Sequence, residues 1–460
     1  MSNNKRNLNH PHAANLKRAI LLAGFFMLLS SGVFSQETLE FSLEEAIEYA
    51  LEHNYELSNA KADAKIADRN VWEITATGLP QVNGTVGYQY YTDIPTNLIP
   101  AEFFGGQEGE FAEVQFGTEQ NLSATLSVSQ LVFDGSYIVG LQAARVFRQL
   151  SEQTYQKTEM EIKSRVTETY YLSLATEQNL HILKENLENL EKTLHETRKM
   201  YEEGFTDAIN VDQLELTVSN LVNSISGMER QNSLIKDMLK FQVGLDVNQD
   251  IKLTDELQEL FENVSLEVLS IQNFDPRSHI DYRIMDSQEQ MQLMSLRREW
   301  SFYLPNITAT YTRQENAFRN EFNFFESGQP WFPTSIIGLN INIPLFSSGE
   351  RRSRVQQARL ELEKAETNTR QTEQALMLQK REATAEIQTA MEQYYNEKEN
   401  LELAEKILSR TQIMFREGMA TSLELTQASD QFLNTQSNYI NAMFDLLNAK
   451  NKLEKALGRL

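Results

Sequence analysis

Beyond residue 35 the chain has four histidines, His53, His181, His195 and His279. No two of them share the short spacing that brings paired imidazoles onto one metal ion. There is no cysteine, which removes a thiol nucleophile, a disulfide framework and a lipidated N-terminus. No phosphate-cradling glycine loop appears. The adjacent carboxylates Glu44 and Glu45 follow Ser42 at the spacing of a helix capping box, not of an acid/base dyad. The side-chain chemistry argues against an enzyme and implies neither cofactor nor metal.

What the chain carries instead is a repeat. Met200-Tyr201-Glu202-Glu203-Gly204 recurs 214 residues later as Met414-Phe415-Arg416-Glu417-Gly418, and Gln213 recurs as Gln427. Gly135 recurs as Gly349 and Gly244 as Gly458, so each copy covers 109 steps without net insertion. Loops would let such lengths drift, so the repeated object is expected to be stiff and length-constrained.

The first 35 residues read as an export signal: Lys17 and Arg18, an apolar run from Ala19 to Leu29, and small residues near Ser35. The run is too short to span a bilayer. This segment carries four basic and no acidic side chains, so its removal takes the net charge from −23 to −27. Such a balance excludes nucleic acid as a partner.

Residues 141–203 and 350–417 contain neither glycine nor proline. At about 1.5 Å per residue, each stretch predicts a helical rod on the order of 100 Å long. Ala383, Ile387, Ala390, Tyr394, Leu401, Ala404, Leu408 and Phe415 keep the alternating three-and-four spacing of a coiled-coil seam. Leu425, Ala428, Phe432, Tyr439, Met443, Leu446, Leu453 and Leu457 continue it beyond Gly418. The short turn predicts an antiparallel hairpin with Gly418 as its helix C-cap. The second helix is much shorter than its partner, so another helix must cover the rest of the seam. Candidates are a helix from Ser42 to about residue 76 and its counterpart from about Asp281 to Trp300.

Where the helices stop, the period becomes two. Four strands are expected, at 81–91, 121–130, 306–312 and 337–343, each with an apolar face and a small polar face. Val82, Val86, Tyr88 and Tyr90 line one face of the first, Asn83, Thr85 and Gln89 the other. An ordinary soluble sheet with one buried face fits this alternation. Strand length and the aromatics near the strand ends (Tyr88, Tyr90, Tyr91, Phe324, Phe325, Trp331, Phe332) favour a membrane barrel. Four strands cannot close a barrel, and an open edge in lipid has no partner for its backbone, so the membrane reading requires a dimer of eight strands or a trimer of twelve. The stretches 92–119 and 313–334 then become loops outside the cell.

Phe41-Ser42-Leu43-Glu44-Glu45-Ala46-Ile47, the strand starts Leu79-Pro80 and Leu304-Pro305, and the glycine-centred turns together resemble TolC-like outer membrane efflux proteins over nearly all of the chain beyond the signal. The resemblance implies a mainly α fold with membrane β: a homotrimer whose four strands per chain form a 12-stranded β-barrel in the outer membrane, continuous with a long antiparallel α-helical barrel in the periplasm. It implies a channel exporting substrates from a periplasmic adaptor protein and an inner-membrane RND, ABC or MFS transporter. The division expected is a signal peptide at 1–35, a first repeat at 36–245, an equatorial collar at 246–280 and a second repeat at 281–460. The chain ends soon after Gly458, so the collar is expected to come mainly from the first repeat.

In such proteins the turn around each glycine forms the periplasmic tip, gate and adaptor contact. Here that implies Tyr201, Gly204, Asp207, Asn210, Asp212, Phe415, Gly418, Glu424 and Gln427. Threefold symmetry turns a lumen-facing carboxylate into a cation-attracting ring. Glu424, six residues after Gly418, is the first candidate and Asp212 the second; a solvated helix-face acid is the alternative reading of Glu424. A tyrosine–arginine lock found in some members maps onto Phe415 and Ala420, so that lock is not expected. A competing reading, a periplasmic coiled-coil scaffold or tether without a pore, leaves the alternating strands unexplained.

Overall fold

The computed structural model describes residues 39–262 and 274–460. The expected export signal lies outside the described residues, as does part of the segment 246–280. Eight helices account for most of the described chain: α1 (Leu43–His53), α2 (Tyr55–Thr77), α3 (Gly135–Glu202), α4 (Ala208–Val243), α5 (Leu257–Glu262), α6 (Ile280–Ser301), α7 (Glu350–Arg416) and α8 (Ser422–Ala456). The strands are β1 (Leu39–Phe41), β2 (Gln81–Tyr90), β3 (Thr96–Pro100), β4 (Phe111–Gln115), β5 (Gln120–Phe133), β6 (Ile251–Leu253), β7 (Asn306–Arg319) and β8 (Phe332–Asn342).

Ser42 and Glu45 form the capping box that opens α1, with the Ser42 N–H donating to the Glu45 carboxylate at 2.8 Å. The single helix expected from there to residue 76 is two. Asn54 turns extended (ψ 132°), and its Oδ1 accepts the Leu57 N–H at 3.0 Å. Its Nδ2 donates to the Gln242 carbonyl at 2.6 Å. An asparagine that satisfies an orphan helix donor can end one helix and start the next.

Helices α3 and α7 contain 68 and 67 residues, rods of about 100 Å. The upper part of α3 packs on α2 and α6, its lower part on α4 and α8, while α7 packs on α6 and then α8. Every residue of the expected α7–α8 seam is buried or half-buried. The main core lies where α1, the middle of α3 and α7, and the upper α8 meet the short strands β1 and β6, around Phe41, Ile162, Tyr170, Leu239, Ile387 and Met443. There β1 and β6 form a parallel pair, Leu39 opposite Ile251. The Tyr170 hydroxyl fastens this strand pair, its one proton shared between the Phe41 carbonyl (2.9 Å) and the Asp255 carboxylate (3.0 Å).

Strands β2, β5, β7 and β8 form one antiparallel sheet in that order. Their register aligns Val82, Val128, Tyr311 and Ile337 across one face, and Asn83, Ser127 and Thr312 on the other. Side chains alternate across a strand, so the sheet has one apolar and one small-polar face. β7 runs on to Arg319 past the expected end at Thr312. Arg313 and Glu315 occupy apolar-face positions there and pair with each other at 2.8 Å, cancelling their charge. Within the chain β2 and β8 each have one unpaired edge. The loop 92–119 contains a separate hairpin, β3 with β4, which period-two reading missed because each strand has only five residues.

No helix among the described residues is long and apolar enough to cross a membrane.

Candidate functional site

The two hairpin turns have matching backbones. Gly204 (φ +79°) ends α3 and Gly418 (φ +74°) ends α7. The Phe205 N–H donates to Met200 O at 2.8 Å and the Gly204 N–H to Tyr201 O at 3.0 Å; Met419 and Gly418 repeat both bonds on Met414 and Phe415. This is the Schellman stop, which requires a left-handed residue that glycine supplies at low steric cost.

The helices leaving the turns are capped differently. Thr421 and Glu424 form a capping box: the Thr421 N–H donates to Glu424 Oε2 at 2.7 Å, and the Glu424 N–H donates to Thr421 Oγ1 at 3.3 Å. The Thr421 backbone N–H, and secondarily its hydroxyl, holds the Glu424 carboxyl below the usual carboxylate range. At the equivalent place in the first repeat, Asp207 makes no side-chain cap bond. Asp207, Asp212, Glu424 and Gln427 are exposed, as is Tyr201, whereas Phe415 and Asn210 are half-buried. Phe205 and Met419, one residue past each glycine, are 74% and 66% exposed.

One contact joins the two turns. Buried Ser422 places its Oγ 2.6 Å from both Asn210 Oδ1 and Gln213 Oε1. Asn210 also donates to Thr206 Oγ1 at 2.9 Å. Thus Asn210 meets the second turn, while Asp212 and Glu424 are recorded in no bond to one another. Ser422 escaped sequence reasoning. Its repeat counterpart is Ala208, so the gain of a hydroxyl at an otherwise matched position was the available signal.

Above the turns, packing differs within and between hairpins. Leu190, Leu214, Leu221 and Ile225 make an apolar seam between α3 and α4. Between that hairpin and α8 lies an open cavity of about 570 Å3, lined in part by Asn186, Asn220, Thr426, Ser429 and Asp430. Asn186 reaches Ser429 at only 3.5 Å, and the buried Thr426 hydroxyl has no hydrogen-bond partner. Burial pushes the Asp430 carboxyl above its ordinary value. Near the turns, then, the first hairpin is closed by apolar side chains and an open cavity separates it from α8, whereas farther up the two hairpins share the main apolar core. Among the described residues no group of histidines and carboxylates could hold a metal ion.

Long antiparallel helices joined end to end with a two-faced, open-edged sheet are the architecture of an outer membrane channel protein. The family described as "Outer membrane efflux protein" matches residues 46–235 and 299–459, and the chain belongs to it. It is accordingly an outer membrane transport protein, with its helical part in the periplasm, and not an enzyme. The chain is 22% identical over 459 residues to Outer membrane protein TolC of Vibrio cholerae, covering 95% of each chain. Its fold is similar to the solved CusC structure (TM-score 0.73, 16% identity, 90% of this chain and 92% of that one). It is also similar to the Campylobacter jejuni CmeC outer membrane channel (TM-score 0.71, 17% identity, 90% and 85%).

Proposed function

We propose that three copies of this chain form a continuous export duct, with a 12-stranded barrel across the outer membrane and a helical barrel in the periplasm. The observation that carries this reading is the sheet, which has one apolar face, one polar face and an unpaired edge on both β2 and β8. In lipid those edges need partners, and joining β8 of one copy to β2 of the next supplies them. Three copies give twelve strands and a bore wide enough to conduct, whereas eight strands leave an interior that side chains fill.

The duct is closed at the glycine turns and opens by separation of the two hairpins. The apolar seam within the first hairpin and the open cavity that separates it from α8 near the turns favour that division, and Ser422 with Asn210 and Gln213 is the bond set that must break. Glu424 forms the cation-attracting ring, with Asp212 as the second candidate. Exposed Phe205, Ile209, Met419 and Leu423 at the turns suit burial against a periplasmic adaptor, which would link the duct to an RND, ABC or MFS transporter in the inner membrane. The export signal at 1–35, the two repeats at 36–245 and 281–460, and the collar at 246–280 belong to the same reading.

Electrophoresis of unheated outer membrane fractions should give a trimer, and the purified protein should conduct in planar bilayers. A monomer or dimer recovered from the soluble periplasm would sink the proposal.

A further inference from the structure

Strand register decides which side chains share the polar face of the sheet. Phe318 lies opposite Asn121, Phe332 opposite Asn316 and Ile336 opposite Thr312, so all three belong to that face. Every other residue that β7 and β8 place there is Asn, Thr, Gln or Gly. On all four strands this face carries no charged residue, in a chain that is 23% charged.

The Phe318 and Phe332 rings pack on each other, with centroids 6.0 Å apart and planes tilted by 39°. Such cross-strand pairing strengthens a sheet. It nevertheless leaves the two residues 45% and 50% exposed, with Ile336 58% exposed beside them. Aromatics on the opposite face are covered instead: Phe324 is buried with Leu122 and Ala317, and Tyr88 meets it edge-on. An apolar patch set in a polar wall, with no segment of its own folded over it, marks a contact surface.

Topology places the patch. β2 and β7 follow α2 and α6, while β5 and β8 lead into α3 and α7. Phe318, near the end of β7, and Phe332, at the start of β8, therefore lie at the end of the sheet away from the helices. With the apolar face in lipid, the polar face becomes the wall of the lumen, and this end is its exit. A neighbouring copy's strand does not cover the patch. Joined to β8 it is β2, whose polar face offers only Gln81, Asn83, Thr85, Gly87 and Gln89.

We propose that Phe318 and Phe332, flanked by Ile336, form a binding site at the exit of the lumen for solutes with an aromatic or apolar face, whatever the sign of their charge. The proposal rests on the duct reading above. A solute's ring would meet the phenylalanines edge-on or offset-stacked. Its polar groups would find the amides of Asn121 and Asn316 and the Thr334 hydroxyl, which pair with donors or acceptors and favour neither charge.

The chain has no cysteine, so Thr334→Cys, between Phe332 and Ile336 on the same face of β8, provides a single reporter. The full-length variant in lipid nanodiscs is labelled with a charged, water-soluble methanethiosulfonate. Naphthalene sulfonate and benzyltrimethylammonium should each slow labelling at roughly tenfold lower concentration than methanesulfonate and tetramethylammonium, as an added aromatic contact predicts. Adding Phe318→Ser and Phe332→Ser should abolish that difference, whereas Phe318→Tyr and Phe332→Tyr should keep it. Equal effects of aromatic and aliphatic ions on the reporter with both phenylalanines intact overturn the proposal, and so does protection by one charge sign alone. Ile337→Cys, on the apolar face, separates this site from the duct. Labelling there as fast as at Thr334→Cys would show a face outside lipid and sink the duct reading. A shielded Ile337→Cys, with no aromatic protection of Thr334→Cys, sinks the site alone.

Discussion

Ser422 Oγ lies 2.6 Å from Asn210 Oδ1, joining the first turn of α8 to that of α4. The same oxygen lies 2.6 Å from Gln213 Oε1. A hydroxyl carries one proton, so it donates to one amide oxygen, and the other contact is completed when that amide turns its NH2 toward Oγ. A buried three-residue knot of this kind leaves unpaired polar groups when any member is lost.

Ser422→Ala should therefore loosen the tip by about 1–3 kcal/mol while leaving the rest of the fold intact. The expected outcome is a higher open probability in planar bilayers, with Ser422→Thr partly restoring closure. An alanine variant that stays as closed as the native chain would remove Ser422 from the latch.

Glu424 caps α8, and in the proposed duct it would also form the ring; the two roles are separable. Glu424→Gln keeps an oxygen for the Thr421 N–H yet removes the charge, so helix content should hold while cation preference falls. Because the folded carboxyl is held below its ordinary range by Thr421, the charged form persists through the ordinary glutamate value of about 4.3. Its contribution is present above that value and is lost only as pH falls through the lower folded one. Reversal potentials measured across a pH series check this. Loss of selectivity already above the ordinary value would assign the ring to another group.

Two glycines that end helices in the same backbone region should respond differently to alanine. At Gly204 (φ +79°) a new Cβ meets open space, so only the left-handed backbone costs, about 1–2 kcal/mol. At Gly244 (φ +88°) the Cβ would lie 2.3 Å from the His53 carbonyl oxygen, a backbone atom that cannot step aside. Thermal denaturation should show a modest loss for Gly204→Ala and failure to assemble for Gly244→Ala. Equal losses would mean that the α1–α2 break does not need this close approach.

Tyr170→Phe removes the hydroxyl that bonds both Phe41 O and Asp255, while Asp255 also accepts the Leu43 N–H at 2.7 Å. The expected cost is about 1–3 kcal/mol, felt locally. Amide exchange at residues 39–43 should accelerate without change at the tip. Uniform acceleration along α3 would show a global effect instead.

The long helices and the alternating strands were legible because breaker-free runs and period-two patterns are local. The α7–α8 seam was legible for the same reason. The break at Asn54 was not, since its cause is a bond to Gln242, 188 residues away. Nor was the pairing of β1 with β6, three-residue strands whose partners lie 212 positions apart. The continuation of β7 past Thr312 is hidden in the sequence because Arg313 and Glu315 look like a loop until they are seen to neutralise each other. At the tip the glycines announced the turns, whereas Ser422 became visible only once both turns were brought into one plane.

The two turns match in backbone and differ at their first helical residues, Ala208 in one and Ser422 in the other. In a threefold assembly the mouth would then be a hexagon whose corners alternate between two kinds. A docking protein that uses one site per copy would find three good berths and three poor ones. One that tolerates both would bind six copies with unequal grip, so the stoichiometry of the completed machine would follow from how far the two turns have diverged.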